Sequence, residues 1–91
     1  MKVSNEFVLR EIAGEYLLVP VGSAVSGFHG LITLNETGNL LFSALYQEST
    51  ADDLISLLTA EYDVDEQTAR ADVLEFLQQL RDVGALMENE P

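Results

Sequence analysis

Leu31-Ile32-Thr33-Leu34-Asn35-Glu36-Thr37, residues 31–37, hold the point where the chain turns from strand to helix. Four apolar or β-branched residues suit a short strand. Asn35 then offers a side-chain oxygen to the first backbone N–H groups of a helix, and Glu36 sets a negative charge against the positive end of the helix dipole. The chain before this junction reads as sheet and the chain after it as helix.

Upstream, Phe7 to Ala13 is an extended segment with Phe7 and Leu9 on one side and Val8 and Ile12 on the other. Ala13-Gly14-Glu15 follows, and Gly14 admits the positive φ of a tight turn. Tyr16-Leu17-Leu18-Val19 is a second strand closed by Pro20, which cannot donate to a ladder. The two strands form a hairpin. Val21 to Gly30, with Gly22, Gly27, Gly30, Ser23 and Ser26, is a loop leading to the third strand, Leu31 to Leu34.

Downstream, the first helix is expected from Glu36 to about Gln47, with Leu40, Leu41, Phe42, Ala44 and Leu45 on its apolar side. Gly38 inside it is unfavourable by ~1 kcal/mol relative to alanine and predicts close packing at that point. Thr50 and Asp53 form a capping-box variant for a second helix, and Ala51, Leu54, Ile55, Leu58 and Tyr62 recur at helical spacing. Asp65 caps a third helix running to about Asp82 or Val83, with Ala69, Val73, Phe76, Leu77 and Leu80 as its core stripe. Gly84 suits the residue after the helix, and Leu86 can fold back onto its end. The order β-β-β-α-α-α is that of an α+β fold: a three-stranded antiparallel sheet whose apolar face packs on three α-helices. The 91 residues make one domain, 1–91, with an ordered core expected over about 7–87 and a frayed tail from Glu88.

Composition narrows the function. Hydrophobic residues at 47% and charged residues at 22% belong to a folded chain. Acidic residues outnumber basic ones 16 to 4, a net charge of −12, which argues against nucleic acid and anionic lipid as partners. With no cysteine, disulfides, thiolate metal sites and thiol nucleophiles are excluded. No apolar run approaches the ~20 residues of a membrane span, and no signal peptide is visible, so a cytoplasmic location is the default expectation.

The residues do not describe an enzyme. His29 is the one histidine, set in the glycine-rich loop without a nucleophile beside it. Asp52-Asp53 and Asp63-Val64-Asp65-Glu66 lack the twelve-residue calcium loop and read as caps and solvated faces, so no metal or other cofactor is expected. The glycines at 22, 27 and 30 lead into a strand without a Gly-Lys-Ser/Thr, which makes no phosphate cradle.

Recognition fits better. A short third strand behind a loop leaves an edge that can template a strand from another peptide, or from a second copy of the chain, giving a dimer. On the third helix, counted at ~100° per residue from Val73, Arg70 stands near about +60°, Arg81 near +80°, Leu74 near +100° and Gln78 near +140°. An exposed leucine flanked by two arginines on an acidic protein suits an acidic, apolar segment. Equally, Arg70 pairs with Glu66 or Glu75, Arg81 serves the helix C-terminus, and Leu74 fills the edge of the core. The opposite flank, with Thr68, Asp72, Gln79 and Val83, is the other candidate docking side.

Two segments resemble PqqD-like proteins. Gly30-Leu31-Ile32-Thr33-Leu34-Asn35-Glu36-Thr37 is similar to their strand-to-helix junction. Asp72-Val73-Leu74-Glu75-Phe76-Leu77-Gln78-Gln79-Leu80, followed by Gly84 and Leu86, is similar to their third helix and its terminal Gly-x-Leu. The likeness covers about Phe7 to Leu86. It implies a recognition element for the precursor of a ribosomally made, post-translationally modified peptide, with a winged-helix-like arrangement. Such elements add the leader segment as a strand to the third strand, in the groove against the third helix. They present it to a maturation enzyme such as a radical SAM protein, a cyclase or a leader protease. Carried over, the implied peptide-binding set is Gly30, Leu31, Ile32, Thr33 and Leu34 on the strand with Arg70, Leu74, Gln78 and Arg81 on the helix. Quinone cofactor synthesis in particular does not follow. The competing readings are an acidic adaptor that docks on an enzyme without binding peptide, and a winged-helix DNA-binding protein, which the charge opposes.

Overall fold

In the computed structural model, residues 1–22 and 32–88 are described. His29, Gly30, Leu31 and the rest of the glycine-rich loop, and the tail beyond Glu88, lie outside them. The element order is β1 (Lys2–Val3), β2 (Phe7–Ile12), β3 (Glu15–Pro20), β4 (Ile32–Leu34), α1 (Glu36–Ala44), α2 (Ala51–Glu61), α3 (Glu66–Asp82) and β5 (Leu86–Met87). The fold is α+β as the pattern predicts, a three-stranded antiparallel sheet β2-β3-β4 followed by three helices. The strand expected third is β4, because a short strand precedes the hairpin.

The hairpin follows from local chemistry. Ala13 and Gly14 both take positive φ, 54° and 83°, the signature of a two-residue turn whose twist matches the strands it joins. The register aligns Phe7 with Pro20, Leu9 with Leu18 and Ile12 with Glu15. On β4, Leu34 lies opposite Tyr16 and Ile32 opposite Leu18. One sheet face therefore carries Phe7, Leu9, Tyr16, Leu18, Ile32 and Leu34 toward the core, and Leu18 is fully buried.

Each helix starts where the sequence places its cap. Asn35 Oδ1 accepts from Gly38 N–H at 2.7 Å, Thr50 and Asp53 exchange both bonds of a capping box, and Asp65 Oδ1 accepts from Thr68 N–H at 2.7 Å. The first helix is shorter than expected. It ends at Ala44, and Leu45 turns inward, fully buried. Leu41, Phe42, Leu45, Leu54, Leu58, Val73, Leu77 and Leu80 close the core, each contributing about 1.5–3 kcal/mol through removal from water.

α3 stops in a Schellman turn: Gly84, at φ 77°, donates to the Arg81 carbonyl at 3.1 Å and Ala85 to the Leu80 carbonyl at 2.8 Å. This turn aims Leu86 and Met87 back beside Val3 and Lys2, forming the second, two-stranded sheet. Ser4 N–H donates to the Ala85 carbonyl and Val3 N–H to the Leu45 carbonyl, both at 2.8 Å. Val3 is thereby a core residue, which its place ahead of the first patterned segment does not announce.

Candidate functional site

The two edges of the main sheet are treated differently. Val21 N–H donates to the Glu6 carbonyl at 2.7 Å, so the pair that continues the hairpin register beyond Phe7 is hydrogen-bonded. Hydrogen-bonded and non-bonded pairs alternate along antiparallel strands. Leu9–Leu18 is then a non-bonded pair, with Leu9 N–H pointing out of the sheet. It donates to Tyr46 Oη at 3.1 Å, and the Tyr46 ring meets buried Phe42 edge-on at a centroid distance of 5.4 Å. The end of α1 thus covers part of the β2 edge.

The same alternation carries across β3. Leu18 directs its backbone groups toward β4, so Leu18–Ile32 and Tyr16–Leu34 are the bonded pairs and Leu17–Thr33 is not. Thr33 N–H and C=O therefore face the outer edge of β4, where nothing pairs with the strand among the described residues.

Beside that edge lies a groove of about 350 Å³. Thr33, Leu34 and Asn35 form its strand side, Thr37, Gly38 and Leu41 its end on α1, and Asp72, Glu75, Phe76 and Gln79 its wall on α3. Gly38 has a reason to be glycine here. A Cβ on it would stand 3.3 Å from both Leu34 Cβ and the capping Asn35 Oδ1, so its absence lets the first turn of α1 close on the strand.

The residues expected from sequence divide. Thr33 and Leu34 line the groove, and Ile32 packs beneath on the core. Gly30 and Leu31 lie outside the described residues. The helix group stands on the flank of α3 away from the groove wall. Arg70 Nη2 is 3.5 Å from Glu66 and 3.8 Å from Asp52 on α2. Gln78 Nε2 donates to Asp82 Oδ1 at 2.8 Å, and Leu74 is exposed. Arg81 donates through Nε and Nη2 to Glu88 Oε1 at 3.1 and 2.8 Å. That double contact pulls the Glu88 carboxyl below its ordinary range and raises the Arg81 guanidinium. Of the alternative flank of the sequence reading, Asp72 and Gln79 stand in the wall and Thr68 and Val83 do not, while Glu75 and Phe76, which that reading did not name as docking residues, complete it. Only the placement of α3 across the groove from β4 brings it to the strand, while Gly38 was its one signal on α1.

The family description for coenzyme PQQ synthesis protein D, PqqD, matches residues 15–86. The chain belongs to the PqqD family. Two solved structures are similar to this PqqD-family chain along its length. TbiB1 in complex with the TbiA(beta) leader peptide has a TM-score of 0.78 and 25% identity over 100% of both chains. Lasso peptide synthetase B1 complexed with the leader peptide has a TM-score of 0.75 and 21% identity over 96% of both, a likeness of fold. No curated protein matches the sequence. Among the described residues, no helix is long and apolar enough to cross a membrane, and no three His, Asp or Glu are grouped to hold a metal.

Proposed function

We propose that this PqqD-family chain is a non-catalytic module that captures the leader segment of a ribosomally made precursor peptide and presents it to a maturation enzyme. The observation that carries the reading is the coincidence of an unpaired strand edge at Thr33 with a groove against α3. A peptide added antiparallel or parallel to β4 gains main-chain hydrogen bonds whatever its sequence, and every second side chain enters the groove for selection. Leu34, Leu41 and Phe76 offer the groove apolar contact. That two structurally similar proteins are held in complexes with leader peptides supports leader binding as the function.

The peptide contacts proposed are Thr33 and Leu34 with Asp72, Glu75, Phe76 and Gln79; Ile32 belongs to the same strand, and Gly30 and Leu31 are kept as candidates from the sequence reading. Arg70, Leu74, Gln78 and Arg81 face elsewhere and are left for the maturation enzyme, whether radical SAM protein, cyclase or leader protease. The test is an NMR titration with synthetic leader segments of precursor peptides encoded beside the gene. The largest amide shifts are expected at Thr33, Leu34, Asp72, Glu75, Phe76 and Gln79. Shifts confined to Arg70, Leu74 and Arg81, or none, would overturn the assignment.

A further inference from the structure

We infer that the groove selects a peptide bearing a lysine or arginine side chain, seated against Asp72 and Glu75, on a position alternate to an apolar anchor. This rests on the leader-binding reading and adds the charge of the ligand.

The inference starts from how the charges are distributed around α3. Asp72 and Glu75 are one turn apart and both line the groove. Residues at that spacing are surface neighbours, with Cβ atoms about 5–6 Å apart, within the reach of one ammonium or guanidinium group. Neither carboxylate has an ion pair or hydrogen bond among the described residues. Among the described residues, no lysine or arginine lines the groove. The two cations of α3 are turned to the other flank and engaged there, Arg70 by Asp52 and Glu66, and Arg81 by Glu88.

An acidic ligand side chain would thus meet two carboxylates with no compensating charge nearby, on a chain of net charge −12. A basic one meets complementary charge beside Phe76 and Leu41, which exclude water from its aliphatic stem. On an added strand, side chains i and i+2 face the same side. The basic residue and the residue filling the apolar part of the groove therefore fall on alternate positions. The arginine strip suggested by the helical projection would favour the opposite ligand charge, and its position away from the groove is what reverses the expectation.

The experiment is selection from a random twelve-residue displayed-peptide library against the full chain, the Asp72→Asn/Glu75→Gln double variant and a Glu61→Gln control. Both groove carboxylates are exposed and bond to no other described residue, so the double variant keeps its structure, checked by thermal melt. Selected peptides are then placed by amide shifts at Thr33 and Phe76 and measured by fluorescence polarisation. Groove-binding peptides are expected to share a lysine or arginine two positions from an apolar residue. Replacing it with glutamine should weaken binding about tenfold, the size of two partly exposed ion pairs, and more at low salt. The loss should vanish in the double variant and persist in the control. Groove binders without a basic residue, or an equal loss in the double variant, would overturn the charge inference and leave leader binding standing. Failure of every peptide to shift Thr33 and Phe76 would overturn both.

Discussion

Thr33 is the residue on which the binding reading turns, and its neighbours show why position matters more than type. Ile32 and Leu34 spend their backbone groups on β3, whereas Thr33 directs its own to the outer edge. Proline tests this directly, since it removes one N–H. Thr33→Pro should keep the sheet and shift the melting temperature by only a few degrees, yet weaken peptide binding about tenfold or more. Ile32→Pro deletes a ladder bond and should unfold the sheet or lower the melting temperature by about 10 °C or more. Calorimetric titration and a thermal melt of each variant separate the two. That β4 exists was legible from Ile32-Thr33-Leu34, but which amide points outward was not. Its direction is inherited through two registers from the hairpin turn at Ala13-Gly14.

At the scale of the element, α3 is held at both ends by short polar devices. Gly84 sits at φ 77° with open space around it, so an alanine there meets backbone strain alone. Gly84→Ala should cost about 1–2 kcal/mol and lower the melting temperature by about 4–15 °C. The loss should also loosen β5, because the Schellman turn is what aims Leu86 at Val3. The carboxylates at the two ends respond to acid in one sense. Backbone donation from Thr68 lowers Asp65, and the hydrogen bonds from Arg81 lower Glu88. Groups lowered in the folded state stabilise it above their unfolded values, near pH 4, and lose that effect as pH falls through the folded values. As pH falls below the ordinary glutamate range the Arg81–Glu88 contact should therefore open. Protection against hydrogen exchange at Leu86 and Met87 should fall ahead of that of the core amides of α3. Equal protection at pH 6 and pH 3 would contradict it.

The caps of all three helices and the Gly84 stop were legible because each is a local bond between residues three to five apart. The shortened α1 was not. The periodic stripe continues through Leu45, but the chain bends so that the carbonyl of Leu45 can accept from Val3, a contact 42 residues distant. β1 and β5, two residues each, carry too little pattern to be seen without each other.

Across the whole molecule, 16 acids against 4 bases repel one another over a small surface. The ion pairs that salt would weaken are exposed and contribute little each. Raising NaCl from about 10 mM to 150 mM shortens the screening length from about 30 Å to 8 Å. The melting temperature should therefore rise by several degrees over that range in a calorimetric scan. A fall would mean that the few ion pairs outweigh the self-repulsion.

The division between what is local and what is not explains the reading of the site. By itself the sequence determined the sheet-then-helix order, the caps, the core stripes and the excess of negative charge, because propensity, capping and burial act over a turn or a pleat. It put the flank with Arg70, Leu74, Gln78 and Arg81 forward as the docking side and kept the flank with Thr68, Asp72, Gln79 and Val83 as the alternative, since a helical projection carries no information about the neighbour. Only the tertiary structure decided which flank lies beside the strand: packing Leu34 on the first turn of α1 at Gly38 sets β4 beside Asp72, Glu75 and Phe76, and Arg70 and Arg81 meet carboxylates on the other flank.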